Sequence, residues 1–241
     1  MSYPYFFISP DDIDGQTIVL SGEEFDHLVK VLRAGPESKV SLSDNFSFRY
    51  EAKILDIKKE HATLSITGKR RIEKKIPDIT LFQCILKKAA MEVLIQKACE
   101  IGADAVIPVI SNRIVPDPKK AEAKISRWQK IARQACMQSK RDFITPVSGP
   151  VMIEDVYPSG YSRFYMPYEG SRTGLFLDFN KKPESIALIT GPEGGFEKRE
   201  ADMLRDKGAC MVSLGNNILR AETASIYMLS VINYFFKDEN G

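Results

Sequence analysis

Ala187-Leu188-Ile189-Thr190-Gly191-Pro192-Glu193-Gly194-Gly195-Phe196 is the stretch on which the fold class turns. An apolar run of strand length ends abruptly in a glycine-rich turn. Strands that are apolar at successive positions are covered on both faces, as in a parallel sheet flanked by helices; one-sided strands alternate apolar and polar residues. Ligands of open α/β sheets bind beyond the carboxyl ends of the strands, where glycine lets the backbone come close to them. Pro192 stiffens the turn.

The same texture extends on both sides. Residues 79–86, 105–110, 162–165 and 211–214 are further short apolar runs. Between them lie helical patterns. Met91, Leu94, Ile95, Ala98 and Ile101 mark one face of a helix that stops at Gly102. A second helix starts at Pro118 and continues through Ile125, Trp128, Ile131, Ala132 and Ala135. A third spans 198–207 and a last one 221–236. Strands alternating with helices predict an α/β domain over 78–241. Its second glycine-bearing turn, LGNNILRAETAS (214–225), also follows a strand and opens the last helix. Glu222 and Thr223 suit a first helical turn, whereas Arg220 is a cation at the positive helix end, so a negative or polarisable partner is expected beside it.

The first 70 residues read differently. Residues 5–8, 17–20, 39–43, 48–57 and 63–67 are short, mostly alternating strands, and Ser21 with Glu24 forms a candidate capping box for one short helix carrying Phe25, Leu28, Val29 and Leu32. This predicts a small β-barrel. The basic stretch KRRIEKKIP (69–77) has little to bury and ends in proline; residues 71–77 are taken as the linker.

Composition narrows the function classes. Of 241 residues, 44% are hydrophobic and 27% charged, ordinary for a globular chain. The net charge is +2, yet residues 87–149 alone carry 12 basic and 6 acidic side chains, a concentration suited to a polyanion such as RNA. Cys84, Cys99, Cys136 and Cys210 are far apart, with only His27 and His61 to join them, so buried reduced thiols are expected and neither a disulfide framework nor a metal site. No GxGxxG follows a strand and no GxxxxGK[ST] occurs, which disfavours dinucleotide and P-loop sites. Two histidines, both in the β-rich part, leave no credible Ser-His-Asp arrangement. Trp128 reads as core. No run spans a bilayer and the start lacks a signal-peptide pattern, so a cytoplasmic address without membrane contact is expected.

ITGPEGGF (189–196), LGNNILRAETA (214–224), LIQKACEIGADAVIPV (94–109), HLVKVLR (27–33) and Ala135, Gln138, Ser139, Arg141 and Pro146, in this order and spacing, resemble the RsmE family of small-subunit ribosomal RNA uridine-N3 methyltransferases, within the SPOUT superfamily. The resemblance covers nearly the whole chain. It implies a PUA-like RNA-binding barrel over 1–70, a SPOUT methyltransferase domain over 78–241 with a deep trefoil knot, S-adenosyl-L-methionine as methyl donor, a homodimer, and 16S ribosomal RNA of the small subunit as substrate. By position, it implies cofactor contacts from Met166, Pro167 and Tyr168, from Gly191, Glu193 and Gly195, and from Leu214, Gly215, Ile218, Leu219, Arg220, Thr223 and Ala224. Arg220, Glu222 and Arg113 become the catalytic candidates; His27, Arg33, Lys87, Lys88, Gln138 and Arg141 the candidate RNA contacts. The sequence departs from the family pattern at Asn217, where a basic residue is usual, and at Met137, where Glu is usual. A ribose 2′-O-methyltransferase of the same superfamily and a non-catalytic RNA-binding assembly protein are the alternatives.

Overall fold

The computed structural model describes residues 3–87, 89–113, 122–174 and 182–236. The chain divides into two compact units, Met1–Lys74 with Cys136–Ile144, and Lys75–Ala135 with Thr145–Gly241.

The first unit is built on a six-stranded sheet: β1 (Tyr5–Phe7), β2 (Ile13–Asp14), β3 (Thr17–Ser21), β4 (Lys39–Ser43), β5 (Phe48–Ile57) and β6 (His61–Arg71). Their order is β1-β4-β5-β6-β3-β2, with β1 and β4 parallel and the other pairs antiparallel. Alternation gives the sheet one buried face: Ile18 and Leu20 of β3, Ala52 and Ile54 of β5 and Ala62 and Leu64 of β6 meet Phe6, Leu28, Val40 and Leu42 in one core. The short helix α1 (Gly22–Asp26) adds Phe25 to this core. Its expected capping box does not form. Ser21 makes no side-chain cap bond, because Gly22, at φ 64°, turns the chain into the helix in a left-handed conformation.

The basic run at 69–77 also differs from expectation. Arg71, the first residue taken as linker, is the last of β6, and Lys69, Arg70 and Arg71 pair with Tyr50, Arg49 and Phe48. Their heads have partners that alternation alone does not reveal. The Lys69 ammonium lies 3.8 Å from the centre of the Phe48 ring, and Arg70 donates to both oxygens of Asp142 at 2.8 and 3.0 Å. Ile72 is buried beyond them.

Residues 136–144 belong with this first unit, although sequence pattern groups them with the α/β domain. The reason is a set of directed bonds. Tyr5 donates to the Arg141 carbonyl at 2.7 Å, Ser43 Oγ to the Asp142 carbonyl at 2.7 Å, and the Ile144 amide to Asn45 Oδ1 at 2.7 Å. Burial pushes the Tyr5 hydroxyl up from 10.0 to about 12, against the opposing pull of Arg49, whose guanidinium lies 4.6 Å from the ring centre. A folded value above the unfolded one means that the native state holds this proton more tightly. Its stabilisation is complete below pH 10 and is lost as pH rises towards 12. Chemical denaturation across that window should therefore show an alkaline loss of stability that Tyr5→Phe lacks; equal pH profiles for the two proteins would refute this.

The second unit carries an all-parallel sheet of six strands: β7 (Asp78–Cys84), β8 (Ala105–Ile110), β9 (Val151–Met152), β10 (Arg163–Pro167), β11 (Ser185–Thr190) and β12 (Cys210–Val212). The order is β12-β10-β11-β7-β8-β9. The central strands β7 and β11 are buried at nearly every position, as their unbroken apolar runs require. Helix α2 (Ala89–Ile101) packs on helix α5 (Ala221–Phe236) over the sheet, through Met91, Leu94 and Ile95 on one and Met228, Leu229 and Ile232 on the other as their buried members. Helix α2 ends where Gly102 takes φ 121°; a Cβ there would also press on Asn233 Oδ1 at 3.3 Å. Helix α3 (Ile125–Gln138) carries the buried Trp128, and helix α4 (Lys198–Asp206) covers a second apolar cluster with Phe82, Phe164, Met166, Ile189 and Phe196. The part of the second predicted helix that begins at Pro118 lies outside the described residues.

Three of the four cysteines are buried, as expected, but Cys210 is exposed, because β12 is the outermost strand of its sheet. Burial, aided by the Glu200 carboxylate, pushes the Cys84 thiol up to about 12. One thiol, Cys210, should thus react rapidly with a disulfide reagent in the native protein, and the other three only on unfolding. Two or more fast thiols would contradict this.

Candidate active site

The glycine turn after β11 and the segment between β12 and α5 meet around one cavity of about 650 Å³. It lies beyond the carboxyl ends of β10 and β11, as a parallel sheet predicts. Pro167 and Tyr168 line it from β10, Thr190 to Phe196 from β11, Ser213 to Ala221 from the segment after β12, and Lys87 and Ala90 from the turn into α2.

The site is held by bonds to residues behind it. Gln83 is fully buried in β7, in register with Thr190 of β11 and Pro108 of β8. Its amide donates to the Cys84 carbonyl at 2.9 Å and to the Thr190 and Gly191 carbonyls at 3.4 Å each. Its oxygen accepts from Ser225 Oγ at 2.6 Å, and Ser225 also donates to the Ala221 carbonyl at 3.2 Å. One side chain thus ties the floor of the glycine turn to the first turn of α5. A second anchor is Glu200, 3% exposed, which accepts from the amides of Asn112 and Glu197 at 2.8 Å each. Neither Gln83 nor Glu200 stood out in the sequence. A polar residue within the apolar run of β7 was the available signal for the first.

The turn itself is braced from two sides. Glu193 accepts from the Lys87 amide at 2.9 Å. Arg113 donates to the Gly194 carbonyl at 3.0 Å and lies 3.7 Å from Glu197. Gly191 fits tightly, since a Cβ there would stand 3.3 Å from the Phe196 amide and ring. Gly195 and Gly215, at φ 68° and 112°, hold conformations that other residues resist.

Inside the cavity the chemistry is mixed. Leu214, Ile218, Leu219 and Ala224 give apolar walls, and Glu169, Glu193 and Glu222 give carboxylates. Thr190 Oγ1 is buried without a hydrogen-bond partner among the described residues. The Arg220 guanidinium likewise has no partner among them, at the amino end of α5, where the Arg220 carbonyl accepts from Ala224. The partner expected beside Arg220 is therefore not supplied by a described side chain. The buried, orphaned hydroxyl calls for a ligand, and the exposed Arg220 guanidinium faces the same cavity with no protein partner among the described residues to compete for it.

Sequence comparison places this geometry in a family. The family model described as an RNA methyltransferase domain matches residues 73–233, and that of an RNA methyltransferase PUA domain matches residues 20–67. Ribosomal RNA small subunit methyltransferase E of Buchnera aphidicola subsp. Acyrthosiphon pisum is 30% identical over 95% of this chain and 92% of its own. The chain belongs to the ribosomal RNA small subunit methyltransferase E family. The Bacillus subtilis member is 28% identical over 92% of this chain and 91% of its own. The Neisseria gonorrhoeae member, whose crystal structure is bound to S-adenosyl methionine, superposes with a TM-score of 0.87 at 27% identity, over 98% of both chains. The sheet of the first unit is thus PUA-like, and the α/β architecture expected of the second is that of the family.

Of the residues singled out in the sequence, Pro167, Tyr168, Gly191, Glu193, Gly195, Leu214, Gly215, Ile218, Leu219, Arg220, Glu222 and Ala224 share the cavity. Met166 is fully buried in the cluster under the sheet, and Thr223 is exposed; neither lines it. Arg113 stands behind the glycine turn and also does not line it. Lys87 is at the cavity rim, while Lys88 lies outside the described residues. In the first unit His27 and Arg33 are exposed, the His27 ring 5.9 Å edge-on to Phe6; Gln138 is exposed and Arg141 half-buried. Among the cations of 87–149, Lys97 and Arg127 are paired at the surface with Glu100 and Glu92, at 2.8 Å each.

Proposed function

We propose that this protein is a methyltransferase that uses S-adenosyl-L-methionine to methylate N3 of one uridine in 16S ribosomal RNA. The observation that carries the reading is the shared cavity at 191 and 220, in a family with a member bound to S-adenosyl methionine. The cavity fits that group. Its volume is in the range of cofactor sites. Leu214, Ile218 and Leu219 suit an adenine, the carboxylates and the Thr190 hydroxyl suit hydroxyl and ammonium groups, and the glycine turns admit close backbone contact. When bound, the sulfonium supplies an electrophilic methyl group.

The chain's own residues then have three tasks. The glycine turn, braced by Gln83, Glu193 and Arg113, aligns the reacting atoms, which supplies up to about 7–11 kcal/mol of the barrier. Arg220 stabilises the charge that develops on a uracil oxygen as N3 is deprotonated. Glu222 takes the N3 proton. The N3 lone pair forms the new bond to carbon as the carbon–sulfur bond breaks, leaving a neutral thioether. Arg113, engaged by Gly194 and Glu197, is assigned to positioning rather than to charge stabilisation.

The uridine must be unpaired or flipped for its N3 edge to be reached. We further read the C-terminal segment as threaded through a deep trefoil knot and the active form as a cytoplasmic homodimer. Tyr227 and Tyr234 of α5 and Val93 of α2, at 47%, 83% and 46% exposure, are apolar surface that a second copy would cover. The deciding experiment is methyl transfer to small subunits from a strain lacking the protein, with the modified atom located by mass spectrometry. Methylation at uracil N3 supports the reading; a methylated ribose, or no transfer, overturns it.

A further inference from the structure

Phe46 is 80% exposed at the tip of the turn joining β4 to β5. A single exposed aromatic is ordinary on its own. What sets this one apart is the rigidity of its support. Asp44, 7% exposed, directs one carboxylate oxygen at three successive amides, those of Phe46, Ser47 and Phe48, at 2.9, 2.8 and 2.9 Å. The Asp44 amide bonds to the Phe48 carbonyl, the Asn45 amide to Ser43 Oγ, and the Ser47 carbonyl accepts from Ile72. Asn45, at φ 59°, is held in turn by the Ile144 amide on its side-chain oxygen. Every amide from 44 to 48 is committed. The fold spends a buried carboxylate to keep a hydrophobic ring in water.

The ring also stands in a basic setting. Residues 44–50, 69–71 and 140–142 hold six cationic side chains and two carboxylates. They are neighbours within one unit. Arg49 and Arg70 both reach Asp142, at 3.3 and 2.8 Å, and β6 lays Lys69, Arg70 and Arg71 alongside Tyr50, Arg49 and Phe48. A fixed aromatic beside clustered cations is the arrangement that captures unpaired nucleic acid, with phosphates on the cations and a base face on the ring.

We propose that Phe46 is a base-stacking residue that takes the face of an unpaired nucleobase of the RNA substrate, outside the cavity at 191–224. The inference rests on the RNA-methyltransferase reading for the identity of the polymer. A preformed turn saves the ordering cost that a flexible loop would incur on binding.

The test uses the full-length protein and its Phe46→Ala, Phe46→Leu and Phe46→Trp variants, with in-vitro-transcribed small-subunit ribosomal RNA as the probe at fixed salt. Loss of one stacked base weakens binding about tenfold for Phe46→Ala, Phe46→Leu behaves like it, and Phe46→Trp binds as well as the parent. The indole introduced by Phe46→Trp is quenched by single-stranded oligouridylate and not by an RNA duplex; native Trp128, 2% exposed, contributes little to that change. Melting temperatures equal to the parent's show that the variants fold. Binding of Phe46→Ala within twofold of the parent, or full affinity for Phe46→Leu, overturns the proposal. So does a loss seen only with assembled subunits, which marks a protein partner. If the parent transfers no methyl group while Phe46→Ala still loses RNA affinity, the activity reading falls and the stacking role stands. Normal methyl transfer with unchanged Phe46→Ala binding gives the reverse.

Discussion

Arg220→Ala lowers the single-turnover rate of methyl transfer by about 10²–10³-fold, the loss usual when one preorganised donor to a developing oxyanion is removed. The expectation follows from where the guanidinium stands. It sits at the amino end of α5, among positive helix-end amides, without a protein partner among the described residues. Arg220 is exposed on the lining of the cavity, so its gain comes when bound RNA displaces water around it and negative charge develops on the uracil. Affinity for S-adenosyl-L-methionine, measured by calorimetry, should fall far less than the rate, because the charge arises only as N3 loses its proton. Arg220→Lys should recover part of the rate. A single-turnover rate for Arg220→Ala within a factor of two of the parent would remove Arg220 as the electrostatic group.

The second large effect is on stability. Gln83→Leu keeps the approximate volume but strips the Thr190 and Gly191 carbonyls and the Ser225 hydroxyl of their shared partner. Buried groups left unsatisfied cost about 1–3 kcal/mol each. Partial relaxation brings the expected total to about 2–4 kcal/mol, and the melting temperature down by roughly 4–16 °C for a chain of this size. Both walls of the cavity hang on this amide, so cofactor affinity should fall in step with stability. Gln83→Glu tests geometry against charge, since a carboxylate accepts from Ser225 but has no donor for the carbonyls. A melting temperature for Gln83→Leu within 1 °C of the parent, on the scale of about 2–4 °C per kcal/mol, would show that the network contributes little.

Much of this molecule was legible before any coordinates. β8, β11 and α5 follow from periodicity almost to the residue, because long apolar runs and a sustained helical stripe leave few alternatives. The two glycine turns were legible because a strand ending in glycine restricts what the backbone does next. Position in the motifs, through the family resemblance, brought Pro167 and Tyr168 to the same cavity. What stayed hidden was of another kind. Gln83 and Glu200 act through partners 142 and 88 residues away, and local pattern carries no trace of distance. The charges at 69–71 hide that β6 runs on through Arg71 and that an aromatic ring and a carboxylate receive Lys69 and Arg70. Ser21 and Glu24 had the right spacing for a capping box, but Gly22 between them set the geometry first. The exposure of Cys210 reflects strand order, which spacing alone does not give.

The assignment of residues 136–144 to the first unit bears on biosynthesis. A ribosome makes this protein from its amino end, and by residue 74 all six strands of the PUA-like sheet have been made. Tyr5, Ser43, Asn45, Arg49 and Arg70 nonetheless await groups about seventy residues further along, so a nascent chain halted at the end of β6 carries an unfinished surface. The amino-terminal unit matures only after the segment Lys75–Ala135 of its neighbour has been translated, and a fragment cut at residue 74 is a poor stand-in for it.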